Sequence, residues 1–168
     1  MFEIDFRFCP ACRGEFKKEG VNFLRCTQCD LRYYVNPHPC NAVIIENSKK
    51  EIMLIERKID PKKGMLDLPG GFVDLNESFE DSVTREIKEE LQVVITDLKY
   101  FGSYYDLYGY GQITYHTLCC VFLGSIGEQQ PIPTDDVAAI QYFPKDRIPF
   151  DKLAFDGLRQ AIGDYLHK

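Results

Sequence analysis

Apolar residues change their spacing several times along this chain, and each change predicts an element. Ala42-Val43-Ile44-Ile45 and Ile52-Met53-Leu54-Ile55 are unbroken apolar runs around a polar turn, Asn47-Ser48-Lys49-Lys50, which predicts a β-hairpin. Residues 65–71 read as loop and end in Gly70-Gly71. Over 77–91 the spacing lengthens to four, with Phe79, Val83, Ile87 and Leu91 forming one stripe. That predicts an amphipathic helix, with Asn76 placed to cap it. Strands are predicted over 98–105, 113–123 and 139–143, the last stopped by Pro144. A final helix over 151–166 carries Phe155, Leu158, Ile162 and Leu166 on one face. Upstream, residues 30–35 read as a strand. Asn36-Pro37-His38-Pro39 then reads as a linker, with His38 a linker residue. The chain thus divides into 1–36 and an α/β domain over 37–168.

The helix over 77–91 carries the candidate chemistry. At about 100° per residue the apolar stripe spans from about 0° at Phe79 to about 120° at Leu91. Glu90 falls at about 20°, inside the stripe, and Glu86 at about 340°, on its edge; Glu89, at about 280°, stands beside them. A Glu-rich helix taken alone is more often a solvated surface. Here the carboxylates turn toward the core, where they repel and are costly to desolvate. A divalent cation resolves the conflict, and hard oxygen ligands suit Mg²⁺ or Mn²⁺, which also hold substrate phosphates. Gly70-Gly71 just before the helix lets backbone N–H groups approach an anion.

Four of the seven cysteines lie in the first 29 residues, as Cys9-Pro-Ala-Cys12 and Cys26-Thr-Gln-Cys29 with thirteen residues between the pairs. Two such turns aim four thiolates at one point, the spacing of a structural Zn²⁺ site. Cys40, Cys119 and Cys120 have no second close pair and read as small buried apolar residues, zinc ligation by Cys40 being the minor alternative. The odd cysteine count and a start without a basic-then-apolar leader point to a reducing, cytoplasmic setting. No apolar run reaches the ~20 residues that span a bilayer. The net charge of 20 − 26 = −6 argues against a nucleic-acid sheath. Residues 1–36 hold six Lys/Arg and five Asp/Glu. Four thiolates and one Zn²⁺ bring that segment to about −1, so a structural or homodimer-forming role suits it better than phosphate binding.

From Gly71 to Val93 the sequence resembles the Nudix box, GX5EX7REUXEEXGU, where U is aliphatic. Gly71, Glu77, Arg85, Glu86, Glu89 and Glu90 stand at the fixed identities, and Ile87 and Val93 at aliphatic ones. One position departs: Gln92 replaces the late glycine, which implies an altered loop geometry after the helix. The resemblance covers about residues 40–168 and spans the hairpin and last helix as well. It implies a Nudix-type α/β/α sandwich with a mixed sheet and a metal-dependent nucleotide pyrophosphohydrolase. Glu86, Glu89, Glu90 and a backbone carbonyl at Gly71 would hold Mg²⁺ or Mn²⁺, with Glu77 and Arg85 in support. In some members a later acidic residue acts as base, and Glu128, Asp135 and Asp136 are the candidates. The four-cysteine ribbon is similar to that preceding the catalytic domain of NADH pyrophosphatase-like members. The signature those members carry after the box is absent, and this chain has no tryptophan.

In place of that signature lies a tyrosine patch, of which Tyr104, Tyr105 and Tyr108 are the candidates for stacking on a nucleobase. The plainer reading is ordinary strand tyrosines. The expected substrate is therefore an adenine-containing nucleoside diphosphate linked to another moiety, with NADH not preferred. The rival functions are a zinc-ribbon nucleotide sensor without hydrolysis and an RNA 5′-end-processing enzyme. Arg57, near the end of a predicted hairpin strand, could meet a phosphate, a surface residue being the plainer reading, and His116 reads as a structural one.

Overall fold

A computed structural model describes residues 6–167. The chain divides into two compact units between Pro37 and His38. The first is a three-stranded antiparallel sheet of β1 (Phe16–Lys18), β2 (Phe23–Cys26) and β3 (Arg32–Tyr34), in that order. Among the described residues its buried apolar side chains are few: Leu24, Cys9 and Cys26.

The second unit opens with β4 (His38–Ile45) and β5 (Ile52–Arg57). After the two-residue strand β6 (Leu66–Asp67) comes α1 (Phe79–Leu91). A long hairpin of β7 (Thr96–Tyr110) and β8 (Ile113–Ser125) follows, then β9 (Val137–Phe143) and α2 (Asp156–Leu166). The strands form two sheets, β4-β8-β7 and β6-β5-β9, and β4 runs parallel to β8 while the other pairings are antiparallel. Parallel and antiparallel pairings thus share one β layer. Alternate residues of β4 and β5 serve its two faces. Val43, Ile45, Met53 and Ile55 pack with Val83, Ile87 and Leu91 of α1. Ala42, Ile44, Ile52 and Leu54 pack with Leu158, Ala161 and Ile162 of α2. The result is the α/β/α sandwich, and it explains why both strands read as unbroken apolar runs: each is buried on both sides.

Five expectations are corrected. The turn after β4 exists, with Lys50 N–H donating to the Asn47 carbonyl, but β4 and β5 share only one bridge, Glu46 to Ile52. They then enter different sheets, because β4 finds its ladder in β8. His38 and Pro39 are the first residues of β4, in register with Thr117 and Leu118, and not a linker. The cap of α1 is Ser78, whose hydroxyl accepts the Asp81 N–H while Asp81 returns a bond to the Ser78 N–H. Asn76 instead turns the loop at φ 69°. At the other end of α1, Gln92 adopts φ 56°, ψ 30°, the left-handed conformation that a glycine would take. The geometry of that turn is kept with a non-glycine residue. The predicted last helix is divided: a 3₁₀ turn over Phe150–Lys152 precedes α2.

Candidate active site

α1 presents its acids as a graded series. Glu90 is 3% exposed. The Glu86 side chain is 15% exposed and that of Glu89 is 49% exposed, so the helix turns one carboxylate inward, one to the rim and one outward. Glu90 Oε2 accepts the Gly70 N–H at 2.9 Å. Burial pushes the Glu90 carboxyl well above its ordinary range. The Gly70 bond opposes this, and the nearby charges of Asp136, Glu86 and Asp67 add to it. Glu86 is raised as well, by burial against the pull of Arg85, with Glu89 and Asp136 adding repulsion. An acid cluster in this state lacks positive charge on its inner side.

Arg85 supplies that charge only on the outer side. It grips Glu77 with two nitrogens, at 2.7 and 2.9 Å, and reaches Glu86 at 2.8 Å and Glu89 at 3.1 Å. Its remaining bonds go to the Phe72 carbonyl and Ser82 Oγ. Glu77 is pulled down to about 2 by these bonds with Arg85. The pair therefore ties the loop before the helix to the helix itself.

Two glycines let the loop come this close. A Cβ on Gly71 would stand 2.5 Å from Glu86 Oε1, and Gly70 has φ 138° with Asn41 O 2.5 Å from its Cβ position. The Gly71 carbonyl, the expected backbone ligand, accepts the Asn41 N–H at 2.8 Å, and the Pro69 carbonyl accepts that of Val43. The Gly70 carbonyl between them accepts no hydrogen bond among the described residues.

Beside Gly70-Gly71 opens a pocket lined by Arg57, Asp67, Tyr104, Tyr108, Asp136 and Phe155, among others. Tyr108 and Phe155 stack with centroids 5.7 Å apart, Phe72 meets Tyr108 edge-on at 5.2 Å, and the Arg57 guanidinium lies 5.3 Å from the Phe155 ring centre. Along β7 the pocket side takes every second residue: Tyr104, Asp106 and Tyr108. Tyr105 does not line this pocket. It is 52% exposed and its hydroxyl pairs with His116 Nδ1 at 2.7 Å. Of the three acidic residues considered as base, Asp136 alone lines the pocket. Asp135 is exposed at φ 52°, and Glu128 lies on an exposed turn.

Sequence reasoning missed several residues here. Arg57 is no surface residue: its side chain is 12% exposed and pairs at 2.8 Å with Asp67, itself 14% exposed. Burial raises Asp67 to about 6 against the pull of Arg57. They meet across the paired strands β5 and β6, a contact that no local pattern in the sequence marks. Cys40 and Cys119 are half-buried, face each other in the β4–β8 register and line the pocket, so they are not simply core residues.

In the first unit the four cysteine sulfurs lie within 4.8 Å of one another, with Cys9–Cys29 at 3.7 Å and Cys12–Cys26 at 3.4 Å. Four thiolates around one Zn²⁺ at ~2.3 Å would stand about 3.8 Å apart, so the donor set fits that ion. The N–H groups of Cys29 and Gln28 hold Cys26 down to about 6. Cys12 rises to about 12: the Gly14 N–H draws it down, but the other thiols outweigh it. Crowded thiols of this kind ionise together only around a cation.

The NUDIX domain family model matches residues 36–162. The chain belongs to the NUDIX family. It is 37% identical to the ADP-ribose pyrophosphatase of Methanocaldococcus jannaschii over 141 residues, which cover 80% of this chain and 78% of that protein. It is 33% identical over 98 residues to the NAD-capped RNA hydrolase NudC of Vibrio vulnificus, 58% of this chain but only 37% of that one. The chain thus spans little more than a third of the NudC relative. A NUDIX hydrolase from Nitrosomonas europaea shares the fold with a TM-score of 0.71 over 96% of this chain and 90% of that one, at 23% identity. Within this NUDIX chain, no helix among the described residues is long and apolar enough to cross a membrane.

Proposed function

We propose that this NUDIX protein is a divalent-cation-dependent pyrophosphohydrolase acting on an adenine-containing nucleoside diphosphate linked to a second moiety. The observation that carries the reading is Glu90: a carboxylate 3% exposed, surrounded by other acids and held by the N–H of Gly70, a residue that lines the aromatic pocket. Such a group is stable as an anion only with a cation beside it. Glu90 and Glu86 are the proposed ligands of Mg²⁺ or Mn²⁺, with Glu89 at the outer edge and the backbone carbonyls at Gly70 and Gly71 as oxygen donors. When bound, the cation neutralises the non-bridging phosphate oxygens and the leaving phosphate.

The chain's own residues then divide the remaining work. Phe72, Tyr108 and Phe155 hold the base, Tyr104 borders them, and Arg57 faces the phosphates from β5. Asp136 accepts the proton of the attacking water. The water oxygen bonds to one phosphorus, the bridging P–O bond breaks, and the two halves leave as phosphates. Arg85 and Glu77 position the helix against the loop. Cys9, Cys12, Cys26 and Cys29 hold a structural Zn²⁺ in the ribbon.

A match over 78% of an ADP-ribose pyrophosphatase favours a small substrate. The NudC relative favours a second reading, the same bond cut in a NAD-capped RNA. A panel of ADP-ribose, diadenosine polyphosphates, NADH and NAD-capped RNA with Mg²⁺ separates them. We expect the highest kcat/KM on a free adenine diphosphate other than NADH. Preference for the capped RNA, with a steep salt dependence, would install the second reading. No turnover of any member, with tight nucleotide binding, would leave a sensor in place of an enzyme. Tyr108→Ala should raise KM several-fold, in line with the ~1–3 kcal/mol of base stacking, while Tyr105→Ala leaves it unchanged.

A further inference from the structure

Asn41 is a polar residue at the head of a buried apolar run, and it is 3% exposed. Its Nδ2 donates to Ser82 Oγ at 2.8 Å. Ser82 commits its own hydrogen to the Phe72 carbonyl at 3.2 Å and accepts from Arg85 at 3.3 Å. Only a donor can face it from β4, so the network sets which way the Asn41 amide points. Asn41 Oδ1 is thereby left as a buried acceptor with no hydrogen-bond partner. Native proteins avoid that arrangement unless a ligand, ion or water completes it.

The surroundings say what completes it. A Cβ on Gly70 would come within 2.9 Å of Asn41 Oδ1, and the Gly70 N–H is the group that holds Glu90. Ser82, Glu86 and Glu90 recur at every fourth position of α1, so the stripe that anchors the amide continues into the two inner carboxylates. An oxygen is called for at this place, and a fourth anion would add to the repulsion already raising Glu86 and Glu90. Hard divalent cations accept amide oxygens alongside carboxylates.

We propose that Asn41 is a positioning residue of the cation site, its Oδ1 giving an uncharged oxygen to the bound ion or to a water on that ion. The inference rests on the metal-dependent reading above. Mn²⁺ alone is the probe, with the electron paramagnetic resonance signal of the free ion reporting Kd without substrate or turnover. Asn41→Leu should bind Mn²⁺ about ten-fold more weakly, the loss usual for outer partners of a metal, while retaining a cooperative thermal transition. Asn41→Asp should bind it more tightly than the native chain. Glu90→Gln is the reference that removes a proposed ligand. If Asn41→Leu keeps the native Kd while Glu90→Gln loses binding, the oxygen serves only a structural water and the proposal falls, with the metal site intact. If Asn41→Leu fails to fold, Asn41→Asp decides, and an unchanged Kd there overturns it. If the native chain binds no Mn²⁺, the cation reading and this inference fall together.

Discussion

The ribbon hangs four thiols on two short turns with little apolar material under them. The NUDIX unit mounts its carboxylates on a helix whose apolar stripe, Val83, Ile87 and Leu91, is fully buried. Both bring repelling acidic groups together, but the force that assembles them differs. In the ribbon the ion would have to supply the cohesion. In the helix the core supplies it, and the proposed ion would only relieve a cost already met by packing. The ribbon should therefore depend on its ion to fold, and the box helix only to act.

The largest effect should come from the thiols. Protein as purified should carry one zinc per chain, and Cys12→Ser or a strong chelator should collapse β1–β3, since ~10–16 kcal/mol of folding free energy in such sites comes from the metal. Amide dispersion by NMR should vanish for residues 6–37 and persist for α1. A ribbon that stays folded without metal would erase the contrast.

Next comes the buried carboxylate. Glu90→Gln should lower kcat by at least about 100-fold, several kcal/mol of charge stabilisation, while leaving the fold intact. Because it removes a buried charge that neighbouring acids oppose, metal-free Glu90→Gln should melt at or above the native Tm near pH 8. Full Mg²⁺-dependent activity in this variant would remove Glu90 from the site.

The outer arginine network predicts a smaller effect with a definite sign. Glu77 has a folded pKa of about 2 against an ordinary 4.5, a depressed carboxylate. Its contribution to stability is full above about pH 4.5 and is lost as pH falls toward 2. Denaturant titrations of native chain and Glu77→Gln should differ at pH 7 and draw together as pH falls from about 4.5 to about 2. Parallel curves across that window would show that Arg85 does not read this charge.

The smallest effect belongs to Gln92. Gln92→Gly should stabilise the helix end by up to about 1 kcal/mol, because glycine holds the left-handed conformation without strain. Calorimetry should show a rise of a few degrees in Tm. A fall would mean that the glutamine side chain contributes more than its backbone costs.

What the sequence disclosed follows its local physics. The helical period ordered Glu90, Glu86 and Glu89 correctly from inside to outside, because that order depends only on rotation about one axis. The fate of β4 did not show, since its paired residues in β8 lie 79 positions away while the misleading turn lies next door. Alternation along β7 would have separated Tyr108 from Tyr105, had the tyrosines been read by period two and not as one patch. Arg57 was misjudged for a related reason: its burial comes from Asp67 and Phe155, neither of which local pattern brings near it. Asn41 carried the one faint signal, a polar residue in an apolar run.

The segment following β8 straps the end of α1. Ile132 N–H donates to the Leu91 carbonyl and Thr134 N–H to that of Glu90, while the Thr134 hydroxyl caps the Glu89 carbonyl. Two residues further on stands Asp136, facing the pocket. The carbonyls of the acid-bearing residues and the position of the pocket acid thus share one fastening. Hydrogen exchange at the amides of Ile132 and Thr134 should slow when the carboxylates are engaged, giving a clock for occupancy of the site that is read at backbone amides.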